Sequence, residues 1–138
     1  MKLLLMIFLL LLSMKLLAPS AKSLFIAKIE PLKPYEKLWK AICKLESNND
    51  SLAFTIDSNG LPSVGISQVQ QIRLDDYNKH TRKNYQLMDC FSPRLSKQIF
   101  MYYCVGDYEQ IIRKWNGGPG GMKKTSTIVY YQKILLSL

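Results

Sequence analysis

Apolar residues at Tyr35, Leu38, Trp39 and Ile42 recur at the i, i+3, i+4, i+7 spacing of a helix with one buried face. Extending that stripe by four positions reaches Glu46, whereas Glu36, Lys37, Lys40 and Lys44 take the other positions. Tyr35 to Ser47 is therefore predicted as a helix. It ends at Ser47-Asn48-Asn49-Asp50, a run that prefers turns and caps. Ser58-Asn59-Gly60 marks a turn. Leu61 to Val69 is too rich in Gly and Pro for a helix and reads as extended or turn-like chain, packed close to something that needs glycine at Gly65. The polar stretch from Gln70 to Asp89 predicts one helix with indistinct ends and a surface loop around His80. A clearer helix starts with Ser92 as cap and Pro93 in its first turn, turns Leu95, Ile99 and Tyr102 or Tyr103 inward, and stops at Gly106. Asp107 with Gln110 forms a capping-box pattern before the stripe Tyr108, Ile111, Ile112, Trp115. The bend Asn116-Gly117-Gly118-Pro119-Gly120-Gly121 must leave that helix at once, displaying Trp115 and Asn116 at its end. Ser126 to Leu138 closes the domain as an amphipathic helix, with Ile128, Tyr131, Leu135 and Leu138 on one face and Tyr130 and Ile134 beside it. The fold class expected is mainly α, a compact helical domain with a short extended segment.

The N-terminus changes what counts as domain. Lys2, the apolar run Leu3 to Leu12 and the small residues Ala18-Pro19-Ser20 outline a secretory signal over residues 1–21. If that segment is retained, it serves as an N-terminal anchor instead. Residues 22–34 read as a tether, since Pro31 and Pro34 oppose regular structure, and 35–138 as the functional domain. An exported chain with a net charge of +9, two units of it from Lys2 and Lys15, meets anionic envelope polymers or lipid head groups before nucleic acid. The basic residues form no block, and no base-stacking motif argues for DNA or RNA. Of the three cysteines, Cys43 lies on the buried side of the first helix, which leaves Cys90 and Cys104 free to close a short loop or to stay reduced. With one histidine in a polar stretch there is no zinc pattern, and no metal or other cofactor is expected.

Glu46 is the candidate catalytic residue. It lies in line with the core-facing row and in the last turn of its helix. Partial desolvation and the negative end of the helix dipole both favour its protonated form. A carboxyl that keeps its proton near neutral pH is what a general acid requires.

Four landmarks in order resemble the soluble lytic transglycosylase domain, a branch of the lysozyme-like superfamily. Glu46-Ser47 is similar to the family's E-S, Gly65-Ile66-Ser67-Gln68-Val69 to G-L-M-Q-I, and Trp115-Asn116-Gly117-Gly118-Pro119-Gly120 to Y-N-A-G-P-G. The fourth, Thr127 to Leu135, is similar to T-x-x-Y-V-x-K-I-L. The resemblance implies an α+β lysozyme-like fold and cleavage of the β-1,4 bond between N-acetylmuramic acid and N-acetylglucosamine in peptidoglycan. Glu46 would act alone as acid and then base, giving a 1,6-anhydro product. It also implies that Ser47, Gln68, Trp115, Asn116 and Tyr130 bind substrate or line the cleft. Gln68 would reach sugar or acetamido groups, and Trp115 would offer a surface for sugar stacking. Trp115 stands where the family has tyrosine, and Ser67 where it has methionine. Two alternatives stay open: a hydrolytic, lysozyme-like muramidase using one of Asp50, Asp57, Asp75 or Asp76, and a catalytically silent peptidoglycan-binding module of an envelope assembly. The partners expected are peptidoglycan strands and an envelope-complex protein, with the chain exported to the periplasm or cell envelope.

Overall fold

The structure, a computed structural model, describes residues 35–138; the leader 1–21 and the tether 22–34 lie outside the described residues. The order of elements is α1 (Glu36–Ser47), β1 (Phe54–Ile56), β2 (Pro62–Val64), β3 (Val69–Gln70), α2 (Gln71–Thr81), a 3₁₀ turn at Leu87–Phe91, α3 (Pro93–Tyr102), α4 (Tyr108–Gly117), a 3₁₀ turn at Gly121–Lys123, and α5 (Ser126–Leu135). The domain is mainly helical, as expected. The extended patch is larger than the sequence suggested: β1, β2 and β3 form an antiparallel sheet in that order, with Phe54 opposite Val64 and Ser63 opposite Gln70. The missing strand was β1, whose three residues are all exposed, so that no alternation of buried and exposed positions betrayed it.

Leu38, Trp39, Ala41, Ile42 and Cys43 form the buried side of α1 and pack in one core with Ile99 and Phe100 of α3, Ile111, Ile112 and Trp115 of α4, and Ile134 of α5. Each fully buried aliphatic or aromatic side chain in this set contributes roughly 1.5–3 kcal/mol. Trp39 and Trp115 flank Phe100, with ring centroids 5.3 and 5.2 Å away. The expectation that Trp115 is displayed is thus wrong. It is 6% exposed, because the apolar stripe of α4 runs on through it into the core.

Two other expectations are corrected. The buried face of α5 is Thr127 and Ile134, with Tyr130 and Tyr131 half-buried, whereas Ile128, Leu135 and Leu138 are exposed. His80 is exposed, as the surface reading required, but it lies on the last turn of α2 rather than in a loop. Asp107 caps α4 by accepting from the Gln110 N–H at 2.8 Å, and Pro93 opens α3, both as read. Ser92 stands at the cap of α3 without a side-chain cap bond. Cys43, Cys90 and Cys104 are all free thiols. Among the described residues no helix is long and apolar enough to cross a membrane.

Candidate functional site

The end of α1 is fixed by backbone that few residues tolerate. Asn48 and Asn49 take left-handed conformations at φ 55° and 67°, and their N–H groups bond back to the carbonyls of Lys44 and Cys43. Ser47 extends this anchorage. Its hydroxyl donates to the Ile66 carbonyl at 2.8 Å, tying α1 to the turn between β2 and β3. That turn is held from its other side at Gly65, whose φ is +77°. A Cβ there would sit 2.0 Å from the Cys90 carbonyl oxygen, so the requirement for glycine read from the sequence has a physical cause.

Glu46 is half-buried above this junction. The Tyr130 hydroxyl, brought from α5, donates to its Oε1 at 2.5 Å. Burial pushes the Glu46 carboxyl above the ordinary carboxylate range; the Tyr130 bond pulls it down, the nearby Asp57 charge pushes it up, and the Arg73 guanidinium pulls it down less. The same burial, with Glu46 beside it, raises the Tyr130 phenol well above its usual range, so Tyr130 remains a hydrogen-bond donor.

Asp57 is the second acid of the site. It directly follows β1 and begins the tight turn to Gly60, whose N–H bonds to the Asp57 carbonyl at 2.8 Å. Its Oδ2 accepts from the Ser63 hydroxyl at 2.6 Å and from the Gln70 amide, so both neighbouring strands aim it. The sequence offered Asp57 only as one of four aspartates. The sharper signal was its place between an apolar triplet and the Ser58-Asn59-Gly60 turn, which sets a carboxylate at the end of a hairpin.

Arg73 had no sequence signal. It projects from α2 and donates to the Trp115 carbonyl at 2.6 Å, and its guanidinium lies 4.2 Å from the Trp115 ring centroid and 4.9 Å from that of Tyr103. Burial lowers its pKa from the usual range. Arg73 thereby joins the end of α4 to the Glu46 site.

Glu46, Ser47 and Tyr130 are thus brought together. Gln68 is close to them, but its side chain is engaged. Its amide nitrogen donates to the Gly65 carbonyl at 2.9 Å, and its oxygen accepts from Thr55. That arrangement supports a residue held at φ 52°. Trp115 serves as the floor under Arg73 instead of a stacking platform, and Asn116 is exposed at the end of α4. Among the described residues no group of three or more His, Cys, Asp or Glu side chains could hold a metal ion. The site thus holds Glu46 under the Tyr130 hydroxyl and, at the hairpin, Asp57 aimed by Ser63 and Gln70.

No family model matches the chain, and neither does any curated protein. Among solved structures it is similar to a chain in the crystal structure of Aeromonas hydrophila PliI in complex with Meretrix lusoria lysozyme. The identity is 25% and the TM-score 0.61, over 72% of this chain and 86% of the matched one. These findings overturn the lytic transglycosylase assignment, and with it the single-glutamate cleavage of peptidoglycan to a 1,6-anhydro product: the matched crystal holds no lytic transglycosylase. The site gives a physical reason as well. Residues of the short motifs are engaged in packing: Ser47 bonds the Ile66 carbonyl, Gln68 the Gly65 carbonyl, and Trp115 lies in the core. The silent peptidoglycan-binding alternative relied on Trp115 as a platform and falls with the burial of that ring.

Proposed function

We propose that this chain is one member of a protein pair of the lysozyme–PliI kind, receiving a protein partner on the apolar hairpin beside Glu46. The observation that carries the proposal is the apolar hairpin beside that site. Leu52, Phe54, Ile56 and Leu61 are 72%, 48%, 59% and 48% exposed, and β1 is an edge strand of the sheet. Such a patch on a small domain marks an interaction surface, and an open strand edge can accept a further strand. The similarity to a chain from a two-protein complex supports the same reading.

Export, directed by the apolar run from Leu3 to Leu12, belongs to the proposal.

Calorimetric titration of the full chain with PliI and, separately, with the lysozyme of the matched complex tests the pairing. One of the two is expected to bind, and Phe54→Asp to weaken that binding by about tenfold or more. Binding to neither, or binding untouched by Phe54→Asp, overturns the reading.

A further inference from the structure

The hydrogen bonds of the hairpin fix which way each backbone group of β1 points. The Gly65 N–H bonds to the Ala53 carbonyl at 2.8 Å and the Asp57 N–H to the Leu61 carbonyl at 2.9 Å, so Ala53 and Asp57 both face β2. Antiparallel pairs alternate between bonded and non-bonded positions, and the register sets Phe54 opposite Val64, Thr55 opposite Ser63 and Ile56 opposite Pro62. Thr55 therefore exchanges its bonds with Ser63, and the N–H and carbonyl groups of Phe54 and Ile56 point away from the sheet. Pro62, which has no N–H to give, sits at one of the non-bonded positions, as this alternation requires. Among the described residues no hydrogen bond satisfies the outward groups of Phe54 and Ile56, and no strand lies beyond β1. The strand has no lysine or proline to discourage pairing. The carboxylates that flank it are turned to their own chain, Asp50 accepting from the Leu52 N–H at 2.8 Å and Asp57 from the Ser63 hydroxyl.

Donors and acceptors alternating at strand spacing along an open edge match one kind of occupant, a second extended backbone. The side chains add a preference. Phe54 and Ile56 share one face of β1 and are exposed, whereas Thr55 lies on the other face and bonds Gln68. We infer that β1 receives an extended segment of the protein partner as a further strand, bonded through the outward N–H and carbonyl groups of Phe54 and Ile56. Apolar side chains at alternate positions of that segment pack on the Phe54 and Ile56 side chains. The inference rests on reading this chain as one member of a protein pair, and it names the element by which the partner docks. A net charge of +9 sets two copies of the chain against each other, so the segment comes from a different protein.

Amide hydrogen exchange, followed residue by residue by NMR, is measured on the full chain alone and mixed with PliI or with the lysozyme of the matched complex. In the free chain Thr55 and Asp57 are expected to exchange slowly and Phe54 and Ile56 fast. In the bound chain Phe54 and Ile56 should slow by about tenfold or more. Ile56→Pro removes one outward N–H, keeps an apolar side chain and touches no bond to β2. It is expected to weaken binding about tenfold, whereas Ile56→Val, which keeps the amide, weakens it less than about threefold. Slow exchange at Asp57 in the proline variant shows that its hairpin has formed; if that is lost, the exchange pattern of the unaltered chain decides alone. Binding that leaves Phe54 and Ile56 fast overturns the added strand and leaves the pairing of the two proteins standing, whereas binding to neither protein overturns both. Slowing at Phe54 and Ile56 that grows with the concentration of this chain alone puts a second copy on the edge and overturns the inference.

Discussion

At Glu46, one carboxyl carries opposing demands. Its folded-state pKa is raised, mainly by burial, so the native state holds a proton that the unfolded chain has released once the pH exceeds the ordinary glutamate value near 4.5. Stability therefore falls as pH rises from there through the raised folded value. Glu46→Gln removes this dependence. It is expected to exceed the wild type in urea midpoint at neutral pH, with the difference vanishing in acid below the unfolded value. Equal midpoints across the whole range would show that the carboxyl is not desolvated. Gly65 is a sharper case. A methyl group there meets the Cys90 carbonyl and forces a side chain into φ +77°, so Gly65→Ala should cost about 2–4 kcal/mol, seen as a lowered thermal midpoint. Ser67 sits nearby with a buried hydroxyl that has no hydrogen-bond partner among the described residues, and the packing of the turn offers no reason for a serine there.

The elements differ in how far the sequence disclosed them. Helices α1, α3 and α4 could be read because each presents one apolar stripe to a single core, as Leu38, Ile99 and Ile112 illustrate at full burial. The strands could not, because Phe54 and Ile56 face solvent and β3 is only Val69 and Gln70. Glu46 was legible because a charge in line with a core row is anomalous. Asp57 and Arg73 were not, since their roles depend on strands and helices brought from elsewhere. Arg113 was equally hidden, and no count of basic residues separates it from the surface lysines. It is 8% exposed and binds the glycine-rich bend to α5, donating to the Met122 carbonyl at 2.7 Å and to the Thr127 hydroxyl at 3.0 Å, with Glu109 at its other end. The bend also closes on α4 at Gly121, where a Cβ would lie 2.1 Å from the Arg113 carbonyl oxygen. Arg113→Leu strands these acceptors and should cost about 2–3 kcal/mol, measured as a shift in urea midpoint with the slope unchanged.

Across the described domain, the chemistry is separated by region. The hairpin and the end of α1 carry Asp57, Glu46 and the apolar rim, and Lys83, Arg94 and Lys97 line the groove of about 710 Å³ between α2 and α3. The two are linked through neighbouring residues of one helix end. Tyr102 lines the groove, and Tyr103 packs on Arg73 and donates to Asp76 at 2.6 Å.

The three thiols are unpaired, and burial pushes each of them up to about 12. At neutral pH almost none is thiolate, so none is poised for alkylation or exchange. What holds the chain is noncovalent throughout: the core, the Arg113 bonds and the Ser47 tie. The domain should then be indifferent to redox conditions, melting at the same temperature with or without dithiothreitol and ignoring iodoacetamide until it unfolds. Such a protein matures without an oxidising helper, and it can be produced in a reducing cytoplasm with its architecture complete.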